Sequence, residues 1–234
     1  MPKRFVRAHM NWPSSTQPDA LFPSFKGDEG GAVPQFPAEE PAWRILDPAH
    51  PEGIKSQMKA LTGTIACKNP GFFTSGEGII IDATATVEAG AYIIGPCYIG
   101  PEAVVRSGAY VREFSWICAG AVVGHSTETK HSVLLPGAKA PHFNYVGDSI
   151  LGANVNLGAG TKLSNLRNDG KEVHVRIDGE RLGSGLRKFG AVLGEGCALG
   201  CNSVTNPGVV LGCNNVVWPN VTVTGIHGPN VEHR

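Results

Sequence analysis

The chain has 234 residues, with 31 glycines and 17 prolines but only 7% aromatic side chains, a balance that suits a turn-dense solenoid better than a globular α/β domain. Twenty basic and twenty acidic residues cancel, so no global field argues for nucleic acid or a membrane surface as partner. No segment is long and apolar enough to span a bilayer, and the basic start MPKRFVRAHMNWPSS lacks the apolar stretch of a secretory signal. The six cysteines include no CxxC pair. They read as reduced residues of a cytoplasmic protein, neither disulfides nor zinc ligands, with Cys97 and Cys197 at small inward positions of the repeat described next.

Residues 1–65 are proline-rich and show no repeat. PAWRILDPAHP reads as an extended segment and EGIKSQMKALTG as one short helix, together an arm or cap laid over the first coil. Within 66–228 an aliphatic residue then recurs at every sixth position: Ile81, Val87, Ile93, Ile99, Val105, Val111, Ile117 and Val123. Four residues after each one comes a small residue: Ala85, Ala91, Cys97, Ala103, Ala109, Ser115, Ala121 and Thr127. A period of six fits neither a helix nor a half-buried strand. It fits an all-β left-handed parallel β-helix, in which each hexad forms one short face and three hexads close a triangular coil. Residues 18 apart then stack on successive coils, separated by roughly 4.8 Å.

After Val123 the hexads lose phase and resume as Val133, Lys139, Tyr145, Leu151, Leu157 and Leu163. A projecting loop over 164–192 contains EVHVRI-DG-ERL, which reads as a hairpin about Asp178-Gly179. The repeat returns at Leu193, Leu199, Thr205, Leu211, Val217 and Val223, for roughly six coils in all, with 229–234 as a tail. Chemistry is expected in the off-register stretch. An 18-residue spacing sets His142 one coil from Gly160 and Pro141 one coil from Ala159, leaving a recess beside an imidazole. A histidine beside exposed N–H groups and the carboxamides of Asn156 and Asn165 suits a general base with an oxyanion donor.

The stretch from His142 to Asn165 reads HFNYVGDSILGANVNLGAGTKLSN, with His142, Tyr145, Gly147-Asp148, Gly152, Asn154, Asn156, Gly158-Ala159-Gly160-Thr161 and Asn165 in the pattern HxxYxGDxxxGxNxNxGAGTxxxN. This pattern resembles the acetyltransferase half of the bifunctional glucosamine-1-phosphate acetyltransferase/sugar-1-phosphate nucleotidyltransferase family. IDGERLGSGLRKFGAVLG and PAWRILD resemble its archaeal branch, and the likeness covers roughly 40–225. It implies acetyl-CoA as cosubstrate, an amino-sugar 1-phosphate (glucosamine or galactosamine) as acceptor, no metal for the transfer, and a homotrimer with sites between subunits. His142 is then the general base. Arg112 and Lys130 hold the sugar phosphate; Tyr145, Asn156 and Asn165 orient the sugar, and Lys171 reaches it across a subunit boundary. Ala159, Cys201 and Pro219 stand along the acetyl-CoA path.

Two positions depart from that pattern: Cys201 replaces a serine, and Trp218-Pro219-Asn220 replaces a small segment of the CoA channel. No LAAGxGTRM-like loop occurs, so nucleotide-sugar synthesis is not expected of these residues. Three other readings compete. One is an O-acyltransferase using acyl carrier protein, with His125 as base. Another is a γ-class carbonic anhydrase with zinc on His125, His131 and His142. The last is a non-catalytic solenoid that binds a sugar phosphate or nucleotide sugar.

Overall fold

A computed structural model describes residues 12–27, 30–67, 71–177 and 179–234; the basic start, residues 1–11, lies outside them. The repeat winds into a three-sided parallel β-solenoid, each side a sheet eight strands deep. Face 1 runs from strand Phe73–Ser75 to Thr222–Val223, face 2 from Ile79–Ile81 to Ile226–His227, and face 3 from Thr86–Val87 to Glu232–His233. The stack is thus deeper than the expected six coils, and residues of the expected tail form its last strand. The extra coils escaped notice because their strands carry few buried side chains. Phe73–Ser75, for example, is exposed throughout.

The aliphatic series Ile81 to Val123, the small series Ala85 to Thr127 and the returning series Leu193 to Val223 are all buried along the axis of the coil. Each face contributes one side chain to every layer, aliphatic except at Thr129 and Thr205, and the small residue two positions earlier lets the chain turn inward. Burial pushes the thiols of Cys97 and Cys197 up to about 12, so these are inert core groups.

The phase slip resolves differently from the expectation. Val104 pairs with Val122 at a spacing of 18, but Val122 pairs with Lys139 and Lys139 with Asn156 at 17. The buried positions are Thr129, Leu134, Ala140, Val146 and Leu151. The chain therefore omits one residue between Thr129 and Leu134 and another between Val146 and Leu151. Lys139 is exposed and Tyr145 half-buried, so neither lies in the core. Val133 is buried, but on the outer side of face 2. Thr129 is tolerated inside because its hydroxyl meets that of Ser115 at 3.1 Å.

Of the arm expected over the first coil, only its end lies there, Ile65 pairing with Ile81 of the first face 2 strand. The rest runs as a strap along the outer side of face 2, where Leu21, Trp43, Ile45, Leu46, Ile54 and Met58 cover Tyr98, Trp116, Val133, Ile150, Val192 and Val210. The Tyr98 hydroxyl accepts from Ala32 N–H at 2.8 Å near one end, and Leu21 O accepts from Glu195 N–H at 2.9 Å near the other. The expected short helix is Ile54–Ala60. The projecting loop carries an antiparallel hairpin of His174–Ile177 and Glu180–Gly183; Asp178 lies outside the described residues. The loop packs Val173, Val175, Leu186 and Phe189 against the strap, with Phe189 stacked on Trp43 at 5.4 Å. The chain then rejoins in register, Leu151 pairing with Leu193 and Leu163 with Thr205.

The position of the short faces is directly testable. Leu134→Ala is expected to cost about 2–5 kcal/mol as a core truncation, whereas Lys139→Ala changes stability by less than about 0.5 kcal/mol. Denaturant midpoints of the two variants decide it, and comparable losses in both would contradict this register.

Candidate functional site

The coil sorts the candidate residues into columns. At the corner where face 3 turns into face 1, His125 and His142 pair in register. Gly160 N–H donates to His142 O at 3.0 Å, Asn202 N–H to Ala159 O at 2.8 Å, and Asn220 N–H to Cys201 O at 2.9 Å. His142, Ala159, Cys201 and Pro219 thus stand on one edge, in sequence order along the stack. The 17-residue coil puts His142 opposite Ala159, where the 18-residue spacing placed Gly160. Gly160 is still required, because it has a φ of +74° and a side chain there would strike Asn202 Oδ1.

Asn144 fixes this corner. It occupies an inward slot where the repeat mostly holds small residues such as Ala103 and Ala121, and it is buried. Its Oδ1 accepts from His142 N–H at 3.0 Å and its Nδ2 donates to Gly158 O at 2.8 Å. One carboxamide therefore ties the backbone of His142 to that of the next coil. Sequence reasoning passed over Asn144; the signal was a carboxamide in a slot reserved for small residues. Between Gly158 and Gly160, whose N–H groups are both engaged, Ala159 N–H makes no hydrogen bond among the described residues.

The two imidazoles differ. His125 Nδ1 lies 2.6 Å from Ser107 O. A carbonyl only accepts, so Nδ1 carries a proton, and in the neutral ring the lone pair is on Nε2. The His142 side chain is exposed and makes no hydrogen bond among the described residues; its ring packs at 6.4 Å from that of Phe143.

At the opposite edge of face 1, where it turns into face 2, stand Arg112, Lys130, His131, Asp148 and Asn165. Arg112 Nη1 donates to Glu128 Oε1 at 2.9 Å, so part of its charge is already matched. His131 Nδ1 donates to Asp148 Oδ1 at 2.9 Å, while Asn165 Nδ2 donates to Asp148 Oδ2 at 2.5 Å and lies 3.2 Å from the Tyr145 hydroxyl. The two short faces produce this network. His131 and Asp148 hold the two tightened corners, with φ of 47° and 46°, and so face each other on adjacent coils. Burial opposes ionisation of Asp148, but the hydrogen bond and charge of His131, with Lys130 and Asn165, outweigh it and hold its pKa below the ordinary value. Burial, with the nearby Glu128 charge, raises the Tyr145 phenol.

A cavity of about 530 Å³ opens at this edge, with Arg112, Lys130, His131, Asp148 and Lys188 on its walls and Leu46 and Lys55 of the strap above. A larger one, about 870 Å³, lies within the strap among Trp12, Phe22, Phe25 and Phe36, away from every candidate. The remaining candidates stand apart. Asn156 lies exposed on face 3, paired with Lys139 and Ala198. Lys171 is exposed in the loop, its N–H donating to Asp169 Oδ1 at 3.1 Å. His131 stands one edge away from His125 and His142, so the three histidines proposed for zinc do not converge. No group of His, Cys, Asp or Glu suited to a metal ion occurs among the described residues. Nor is any described helix long and apolar enough to cross a membrane.

A family model described as GMPPB C-terminal domain matches residues 93–182. The bifunctional sugar-1-phosphate nucleotidylyltransferase/acetyltransferase of Sulfurisphaera tokodaii is 41% identical over 129 residues, which are 55% of this chain and 32% of that protein. The bifunctional protein GlmU of Methanocaldococcus jannaschii is 41% identical over 92 residues, 39% of this chain and 22% of that protein. Over its coils the chain is similar to GlmU-type proteins. The match spans a third or less of the length of these relatives. Among solved structures, the acetyltransferase domain of PglB from Neisseria gonorrhoeae FA1090 in complex with acetyl coenzyme A aligns with a TM-score of 0.32 and 16% identity, over 86% of this chain and 76% of that one. So distant a likeness says nothing of function.

The network at Asp148 makes stability depend on pH. Because the folded state holds the carboxylate ionised more readily than the unfolded chain does, this stability is present above the ordinary Asp value of 3.8 and is lost as pH falls through the lower folded value. Asp148→Asn is expected to lower the denaturant midpoint at neutral pH, by about 3–5 kcal/mol if the pair is simply broken, and to flatten the acid limb. An acid limb as steep in the variant as in the parent would contradict the assignment.

Proposed function

We propose that the chain is an acetyl-CoA-dependent N-acetyltransferase acting on an amino-sugar 1-phosphate, with His142 as general base. The observation that carries this reading is the shared corner: His142 stands one coil from Ala159, whose N–H makes no hydrogen bond among the described residues, with Cys201 and Pro219 continuing the same edge. In the proposed step the sugar amine attacks the thioester carbonyl directly. A C–N bond forms, His142 takes the proton from nitrogen, and Ala159 N–H stabilises the oxyanion. Collapse breaks the C–S bond, and the thiolate of CoA leaves and is protonated. Arg112 and Lys130 hold the phosphate at the other edge of face 1. Tyr145, between the edges and bonded to Asn165, orients the sugar.

The same layout favours a homotrimer. Face 2 is covered on its outer side by the strap and the loop, leaving faces 1 and 3 uncovered among the described residues. His142 stands at the edge where those two bare faces meet. A neighbouring copy packed there encloses the sugar, bringing Asn156 of face 3 and Lys171 of the loop to the site from whichever subunit presents them. Cys201 and Trp218-Pro219 line the thioester path, the tryptophan being 47% exposed with the Arg234 guanidinium 4.8 Å from its ring.

The test incubates the protein with acetyl-CoA and glucosamine or galactosamine 1-phosphate and follows free thiol. Turnover is expected, with His142→Ala lowering kcat by about 10²–10⁴ and His125→Ala far less. Tight sugar-phosphate binding without turnover would favour the non-catalytic solenoid. A larger loss in His125→Ala than in His142→Ala would move the base to the imidazole whose tautomer Ser107 fixes.

A further inference from the structure

The hairpin of the projecting loop carries a cluster of charge of its own, apart from the cavity at Arg112 and Lys130. Arg176 stands directly opposite Arg181 across the hairpin. Side chains alternate along a strand, so His174, Arg176 and Arg181 leave one side of it. Val175, Ile177 and Leu182 leave the other and pack with the strap. Like charges directly opposite one another weaken an antiparallel pair. Neither guanidinium has an ion-pair or hydrogen-bond partner among the described residues.

The two arginines line a cavity of about 210 Å³ between the hairpin and the coils, with Arg167, His174, Asn206, Gly208 and Gly225 among its other walls. None of these residues lines the cavity at Arg112 and Lys130. Gly208 and Gly225 turn their corners with φ of +83° and +98°. A Cβ on Gly208 would lie 2.8 Å from Val173 Cγ1, so bare backbone is what lets the coils come this close under the hairpin.

Arg167 is already neutralised, its Nε and Nη2 donating to Asp169 at 2.9 and 2.6 Å. Its Nη1 lies 2.7 Å from His174 Nδ1. A guanidinium only donates, so Nδ1 accepts and the ring proton is on Nε2, a further donor. Glu180 follows the opposite side of the hairpin from Arg181. Two unmatched cations therefore remain on the cavity walls among the described residues, Arg176 and Arg181.

We propose that Arg176 and Arg181, with the Nε2–H of His174, bind a diphosphate diester, the linkage that joins a nucleoside to a sugar or to a pantetheine arm. This site goes beyond the acetyl-transfer reading and does not rest on it. A guanidinium takes one phosphoryl group through two parallel N–H donors. Two forks on paired positions suit two linked phosphoryl groups, and one negative charge on each matches the two unpaired cations. A phosphomonoester puts both charges on a single phosphorus and leaves one fork without a partner. The cavity accommodates the diphosphate itself, and the groups at its two ends extend past the exposed arginines. Occupancy also removes the repulsion across the hairpin.

The test titrates the full chain by calorimetry with uridine diphosphate glucose, dephospho-coenzyme A, inorganic phosphate and tetraglutamate. At least one of the two diesters is expected to bind, and the tighter one names the source of the diphosphate. Arg176 and Arg181 are both exposed, so Arg176→Met and Arg181→Met leave the fold intact. Each is expected to weaken the diester about tenfold, and the double variant to lose it. Absence of binding by both diesters, or an affinity unchanged in the double variant, would overturn the proposal. Tetraglutamate held at these arginines as tightly as the diester also overturns it, in favour of an acidic protein segment. Inorganic phosphate held there as tightly overturns the pairing of two forks with two phosphoryl groups.

Discussion

Everything in this molecule follows from closure of a triangular coil. Each face must deliver one side chain of suitable volume to the axis, and each corner must turn within a few residues. Ile81, Val87 and Ile93 meet the first requirement and Ala85, Ala91 and Cys97 the second. Interiors pack at crystal-like density, so a layer accepts little variation in size. Backbone hydrogen bonds between coils add the vertical order, as parallel ladders on all three faces. Such a stack leaves its corners and outer faces chemically unassigned, since nothing in closure depends on them.

Removing one residue from a face is therefore a means of moving chemistry. At Thr129–Leu134 and Val146–Leu151 the core is still met, by Leu134 and Leu151, but the corner between is drawn tight. His131 and Asp148 take left-handed conformations there that cost a non-glycine residue of order 1 kcal/mol. The return is a buried imidazole and carboxylate facing each other across adjacent coils, joined by Asn165 to Tyr145. A full six-residue face at either place shifts the corner and breaks that alignment. Gly147 belongs to the same device: a Cβ there would lie 2.5 Å from the Tyr145 hydroxyl and 2.7 Å from Asn165 Nδ2, so only glycine admits the pair above it.

The periodic part of the fold was legible in the sequence because one physical requirement repeats, and Ile81 to Val123 satisfies it without exception. The slip was legible as a place, since Lys139 and Tyr145 make poor core residues, but not as a mechanism. A single four-residue slip and two one-residue omissions leave the same phase after Leu151. What separates them is which of Lys139 or Ala140 points inward, and periodicity alone favoured the wrong one. The strap was less legible still. Trp43, Ile45 and Leu46 are apolar without a period, and their partners Tyr98, Trp116 and Ile150 sit at outward positions that a hexad template treats as solvent-facing. His142, Arg112 and Lys130 could be singled out from motif spacing. Their separation onto two edges of one face depends on counting residues per coil, which the 17-residue spacing changes.

The strap and the loop are better understood together than apart. Either alone would cover only part of face 2: the strap supplies Trp43 and Leu46, the loop Val173 and Phe189, and Trp43 stacks on Phe189 where they meet. Their joint burial fixes the backbone that carries Lys55 on one side and Lys188 on the other to the cavity at the tightened corners. The insertion falls immediately after Leu163, at the corner of Asn165, and the chain returns at Gly190, whose N–H donates to Asp148 O at 2.8 Å. It thus leaves and rejoins the coil beside the carboxylate that orients His131. An apolar face too large for one element is thereby used to position polar groups at its margin.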